Sequence, residues 1–185
     1  MSFSDRKIVQ LKKQDKSNIG YIDKPILKLV NKINSLENYY TTSSCAGRIT
    51  LIKDMEQKKQ GLFLFRTHEK ISFEKIKNEL NNAKKYRKLV YFKQEPCILH
   101  IACKDIAAAQ ELIDKAKFVG FKKSGMFATK NRVICELLST ENIILPIIDK
   151  GKILVSDSFL KLLVKEANKK LERTRKKINN FYESL

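Results

Sequence analysis

No stretch of eighteen apolar residues occurs in this 185-residue chain, and the opening Met1-Ser2-Phe3-Ser4-Asp5-Arg6 lacks the basic-then-apolar order of an export signal. The sequence therefore predicts neither a membrane-spanning nor an exported protein, and places it in the cytoplasm. Only two histidines, His68 and His100, and four cysteines, Cys45, Cys97, Cys103 and Cys135, are present as soft metal ligands. There is no Cys-x-x-Cys, and the spacing of Cys97 and Cys103 is poor for zinc, so no metal centre is expected. Those two thiols lie an even number of residues apart in an apolar run, as reduced cysteines on the same side of a strand would. No Gly-x-Gly-x-x-Gly follows a strand, which excludes the usual dinucleotide loop.

Negative charge is scarce too. Thirty-eight Lys and Arg face twenty Asp and Glu, a net charge of +18. An excess of that size repels itself in a compact chain and suits a polyanionic partner. It is also spread out: residues 1–34 carry eight basic and three acidic groups, and so do residues 160–185. A broad basic surface fits a folded RNA better than a small acidic ligand. Membrane-surface binding is the weaker rival, because no basic helix also presents an exposed aromatic face.

Periodicity organises the rest. Phe3 to Lys16 has the spacing of a short amphipathic helix. Asp23 is placed to cap a second helix, with Pro25 in its first turn and Ile26, Leu29, Val30 and Ile33 on one face. Residues 39–48 read as a hydroxyl-rich loop running into a strand at Ile49–Ile52, followed by a polar loop from Lys53 to Gly61. Strands are expected at Leu62–Phe65, Leu89–Phe92 and Cys97–Cys103, then near 125–129, 132–138 and 143–148. Helices are expected from Ser72 to Lys85, from the Asp105 cap to Val119 with Gly120 ending it, and from Ser156 to Tyr182. The last has a seam at Leu160, Val164, Ala167, Leu171, Ile178 and Phe181. The fold class is α+β: two related strand–helix–strand halves around a mixed sheet, flanked by N- and C-terminal helices. The halves, about 40–94 and 95–150, belong to a single domain spanning 1–185.

The densest candidate for chemistry is Thr42-Ser43-Ser44-Cys45-Ala46-Gly47-Arg48. Small side chains leave backbone amides approachable, hydroxyls add donors, Gly47 permits an unusual dihedral, and Arg48 offers a planar fork to an anion. The same stretch reads equally as an ordinary Ser/Thr turn. His68 lies just past a strand and His100 within one; a structural role competes with a catalytic one at each. Glu95, before Pro96, is either a turn residue or an acid–base group.

Tyr40-Thr41-Thr42-Ser43-Ser44-Cys45-Ala46-Gly47-Arg48-Ile49, then Thr67-His68, resembles the wybutosine-synthesising tRNA methyltransferases, wybutosine-synthesising protein three and its archaeal relatives. The likeness continues through Phe92 to Cys103, Gly120 to Met126, Gly151 to Val155 and the tail from Ala167 to Tyr182, and so covers essentially the whole chain in order. The resemblance implies methylation, by S-adenosylmethionine, of ring nitrogen N-4 in a 4-demethylwyosine-type base 3′ of the anticodon in phenylalanine tRNA. On that reading Ser43, Ser44, Cys45, Gly47 and Arg48 are the expected cofactor residues, and His100, Glu95 and His68 the expected catalytic ones. Ser44, Arg48, His68, Glu95 and His100 are expected in one pocket. The rivals are a non-catalytic RNA-binding accessory protein and a base-modifying enzyme with Cys45 as nucleophile.

Overall fold

In the computed structural model of the chain, the residues described are 1–12, 22–54 and 61–185. Residues 13–16 of the expected first helix and 55–60 of the expected polar loop lie outside them. Helix α1 (Phe3–Leu11) opens on a capping box: Ser2 Oγ accepts from the Asp5 amide at 3.1 Å, and Asp5 accepts from the Ser2 amide at 3.0 Å. Asp23 makes no side-chain capping bond. Pro25 instead stiffens a 3-10 turn, Lys24–Ile26, which leads into α2 (Leu27–Ser35). The Asp23 carboxylate accepts from the Ala46 amide at 2.8 Å.

Strands β1 (Tyr39–Cys45), β2 (Arg48–Lys53) and β3 (Phe63–Thr67) precede α3 (Phe73–Ala83). Then come β4 (Val90–Glu95), β5 (Ile98–Cys103), α4 (Ile106–Phe118), β6 (Gly125–Ala128), β7 (Val133–Leu138), β8 (Ile143–Asp149), β9 (Lys152–Ile153) and α5 (Asp157–Ser184). The architecture is α+β, as expected. The stretch read as a hydroxyl-rich loop is largely strand β1, its backbone committed to β5. Thr and Ser favour loops by bonding to their own backbone, but Tyr39 and Tyr40, both buried, anchor this segment in the sheet.

The strands form two sheets, ordered β1-β5-β7-β6 and β3-β2-β4-β8-β9. Among the described residues every pairing is antiparallel, so the expected mixed sheet is corrected. The reason lies in the crossovers. Helix α3 joins β3 to β4 and α4 joins β5 to β6, each linking strands that run the same way, as a helical crossover does. In both cases a third strand, β2 or β7, lies between the two and runs opposite to them.

The chain divides into two compact units, one of residues 1–46, 96–140 and 174–185, the other of residues 47–95 and 141–173. The first holds the four-stranded sheet. Its core packs Leu29, Val30 and Ile33 of α2, Leu99 and Ile101 of β5, Ala109 and Leu112 of α4, Cys135 and Leu137 of β7, and Ile178 and Phe181 of α5. The second holds the five-stranded sheet, with Ile49, Leu51, Ile76, Leu80, Phe92 and Ile147 packed with Leu160, Val164, Ala167 and Leu171 of α5. The six seam positions expected on α5 are all buried. On α4, Ile106 is 57% exposed while Ala108 is buried.

Candidate active site

Alternation along a strand sends successive side chains to opposite faces of the sheet. In the first unit Leu99, Ile101, Cys135 and Leu137 take the core face, which puts His100 and Glu136 on the other one. Register then lines up a transverse row: Ser43 opposite His100, His100 opposite Glu136, and Glu136 opposite Gly125. A bulge between Thr41 and Ser43 sets Ser43 in this place. The row is joined by hydrogen bonds. Ser43 Oγ lies 2.8 Å from His100 Nδ1, and Glu136 Oε2 lies 2.8 Å from His100 Nε2. A carboxylate only accepts, so Nε2 carries the proton facing Glu136. In a neutral ring Nδ1 is then the acceptor, and Ser43 donates to it. The His100 and Glu136 side chains are 29% and 32% exposed, sheltered yet reachable.

Other sequence candidates of the first unit sit nearby on β1. Thr42 donates to the His100 carbonyl at 3.2 Å. Ser44 and Cys45 are half-buried. The peptide of Ala46 is held from two directions: Asp23 takes its amide hydrogen and Arg175 of α5 donates to its carbonyl. Cys97, Cys103 and Cys135 are free, buried thiols, as the sequence predicts for the first two. Burial pushes the Cys97 thiol well up, and the hydrogen bond that the Cys103 thiol donates to Cys135, with burial, does the same for Cys103. Neither is a nucleophile at neutral pH.

In the second unit Gly47 adopts φ +83°, the left-handed region that favours glycine, and its carbonyl accepts from His68 Nδ1 at 3.1 Å. Arg48 and Glu95 are direct cross-strand partners on β2 and β4. Their side chains form an ion pair from the guanidinium Nε to Oε2, each 27% exposed. The Arg48 guanidinium also lies 4.7 Å from the centre of the Phe63 ring. Glu95 is thus bound to a fixed cation.

Of the expected site residues, Ser43, Ser44, Cys45 and His100 fall in the first unit, and Gly47, Arg48, His68 and Glu95 in the second. The structure joins Ser43 to His100, Arg48 to Glu95, and His68 to Gly47. Three partners escaped sequence reading: Glu136, Asp23 in its observed role, and Arg175. Glu136 had a signal, being the sole charged residue in the apolar run Val133–Leu138.

A serine–histidine–carboxylate chain on a sheet face is equipment for proton transfer, more than a passive RNA-binding module requires. Comparison with known proteins gives the family. The chain belongs to the TYW3 methyltransferase family, whose pattern matches residues 5–185. It is 39% identical over 160 residues to a tRNA(Phe) 7-((3-amino-3-carboxypropyl)-4-demethylwyosine(37)-N(4))-methyltransferase of Methanocaldococcus jannaschii, covering 84% of this chain and 82% of that one. It is 35% identical to the tRNA wybutosine-synthesizing protein 3 homolog of Xenopus laevis, covering 100% and 74%. The solved structure of the PH1069 protein from Pyrococcus horikoshii superposes with a TM-score of 0.87 at 30% identity, covering 98% of this chain and 95% of that one.

Proposed function

We propose that the chain methylates N-4 of a 4-demethylwyosine-type base 3′ of the anticodon in phenylalanine tRNA, with S-adenosylmethionine as donor. The observation that carries the catalytic part is the hydrogen-bonded chain Ser43–His100–Glu136. A ring nitrogen that gains a methyl group must lose its proton. The Ser43 hydroxyl, on the exposed side of β1, is the outer end of the chain. A proton taken up there passes to His100 Nδ1, and Glu136 stabilises the imidazolium that results. Ser43 then serves the proton rather than the cofactor, while Ser44 and Cys45 stay with the binding role.

S-adenosylmethionine supplies an already activated methyl group, so alignment and proton removal are the enzyme's main tasks. Its methionine end is an α-amino-carboxylate, and the Arg48–Glu95 pair presents the matching cation and anion side by side on neighbouring strands. The donor set therefore fits. Arg48 would hold the carboxylate and Glu95 the ammonium, with Gly47 giving the close backbone approach and His68 fixing the Gly47 carbonyl. The net charge of +18 supplies the attraction for the RNA backbone.

The test is direct. Transfer RNA from a strain lacking the protein is incubated with the purified chain and S-adenosylmethionine, and its nucleosides are analysed by mass spectrometry. A gain of one methyl group on the tricyclic base of phenylalanine tRNA is expected. Methylation elsewhere, or none with a folded protein, would refute the assignment.

A further inference from the structure

Four aromatic side chains among the described residues are exposed, Phe118, Phe127, Phe159 and Tyr182, and of these Phe127, 70% exposed, has its ring against that of His100. It sits in β6, the edge strand of the four-stranded sheet, at the point where the β6–β7 register shifts between Met126 and Ala128. Such a shift leaves one residue outside the ladder and re-aims its side chain. Phe127 is that residue. Its ring centre is 5.7 Å from that of His100, tilted by 48°. Beyond it, Gly125 faces Glu136 with no side chain, and a methyl group added there would meet nothing within 4 Å. The edge of the sheet beside His100 is thus an open apolar ring next to an uncrowded polar row. The same hairpin is cationic: Lys122 and Lys123 lie just before β6, and Lys130 and Arg132 in the turn that follows, all four exposed.

An exposed aromatic among cations is poorly explained by stability, since apolar surface left in water adds nothing to the core. It is the arrangement by which proteins hold unpaired nucleotides, with bases stacked on rings and phosphates on basic side chains. We propose that Phe127 is a stacking platform for an unpaired base of the RNA substrate, with the hairpin cations holding the flanking phosphates. The inference rests on the reading of tRNA as substrate, and the bulge gives its specific content: the base lies beside His100.

The test measures binding of a synthetic phenylalanine-tRNA anticodon stem-loop to the full chain across a range of salt concentrations. Phe127→Ala and Phe127→Leu are expected to weaken binding by roughly fivefold to a hundredfold, the usual loss of one base–aromatic stack. Phe127→Trp should restore it. The salt slope should stay the same in all variants, because no cation is lost. Because Phe127 lies outside the core, unchanged thermal melts will show that the variants fold. Binding by Phe127→Ala within about twofold of wild type, equal rescue by Leu and Trp, or an altered salt slope would overturn the inference alone. Absence of stem-loop binding by the wild-type chain would instead overturn the RNA reading beneath it.

Discussion

The two sheets place polar groups on their strands in contrasting ways. On the four-stranded sheet, Ser43, His100 and Glu136 follow one another across three strands, and every link is a hydrogen bond through which a proton can move. On the five-stranded sheet, Arg48 and Glu95 face each other at the ends of β2 and β4 as opposite fixed charges, backed by the Phe63 ring. One arrangement is a relay of hydrogen bonds centred on an imidazole; the other is an ion pair set against an aromatic ring. That difference is the ground on which we propose acid–base work for the first unit and recognition of a charged ligand for the second.

The strongest way to break this contrast is to remove the imidazole. His100→Ala should lower turnover by about a hundredfold to ten-thousandfold, the usual contribution of a positioned general base. Affinity for tRNA should change little, since one half-buried side chain is a small part of a broadly basic surface. Methyl transfer at saturating substrates, alongside direct tRNA binding, checks both. Turnover equal to wild type would take His100 out of the reaction.

Glu136→Gln sharpens the same side. It keeps the shape but removes the negative charge that stabilises the imidazolium. The expected loss is roughly tenfold to a hundredfold in turnover, a hydrogen bond to a charged group being worth about 1.5–3 kcal/mol. Groups that act as one unit are not additive, so His100→Ala with Glu136→Gln should be no slower than His100→Ala alone. Multiplying losses would show Glu136 acting by another route.

Arg48→Ala tests the second unit and should behave differently. Its loss also leaves Glu95 without its ion pair, although partial exposure softens that cost. The Michaelis constant for S-adenosylmethionine should rise by roughly tenfold while turnover falls less. If Arg48→Ala and His100→Ala gave the same kinetic signature, the division of labour between the two sheets would be wrong.

Most element positions were legible because local chemistry sets them. The Asp105 side chain accepts from the Ala108 amide at 2.8 Å and opens α4; Gly120, at φ +105°, closes it. Ser156 accepts from the Phe159 amide at 3.2 Å at the start of α5. Strand pairing was less legible. Nothing local states that β7 returns between β5 and β6, or that β8 joins β4, because those pairings connect residues distant in sequence. The candidate site divided along the same line. Ser43, Arg48, Glu95 and His100 stood out by residue type, but their partnerships depend on register. Glu136 and Phe127 take their meaning from the strand opposite them, which only the folded sheet reveals.

The smallest effect is expected at Cys45, where residue type alone invites a nucleophilic role. Cys45 pairs with Ile98 at the end of β1, is half-buried, and precedes the Ala46 peptide held by Asp23 and Arg175. A covalent enzyme intermediate is unnecessary when the donor already carries an activated methyl group. The thiol then contributes volume and position, and serine nearly preserves both while replacing a soft donor by a stronger one. Cys45→Ser should keep turnover within roughly tenfold of wild type, about 1.4 kcal/mol or less in activation free energy. Whatever is lost should appear in S-adenosylmethionine binding, the role proposed for Ser44 and Cys45. Turnover abolished in a variant that still folds and binds both substrates would instead make Cys45 part of the chemistry, and the proton chain through Ser43 would no longer account for catalysis by itself.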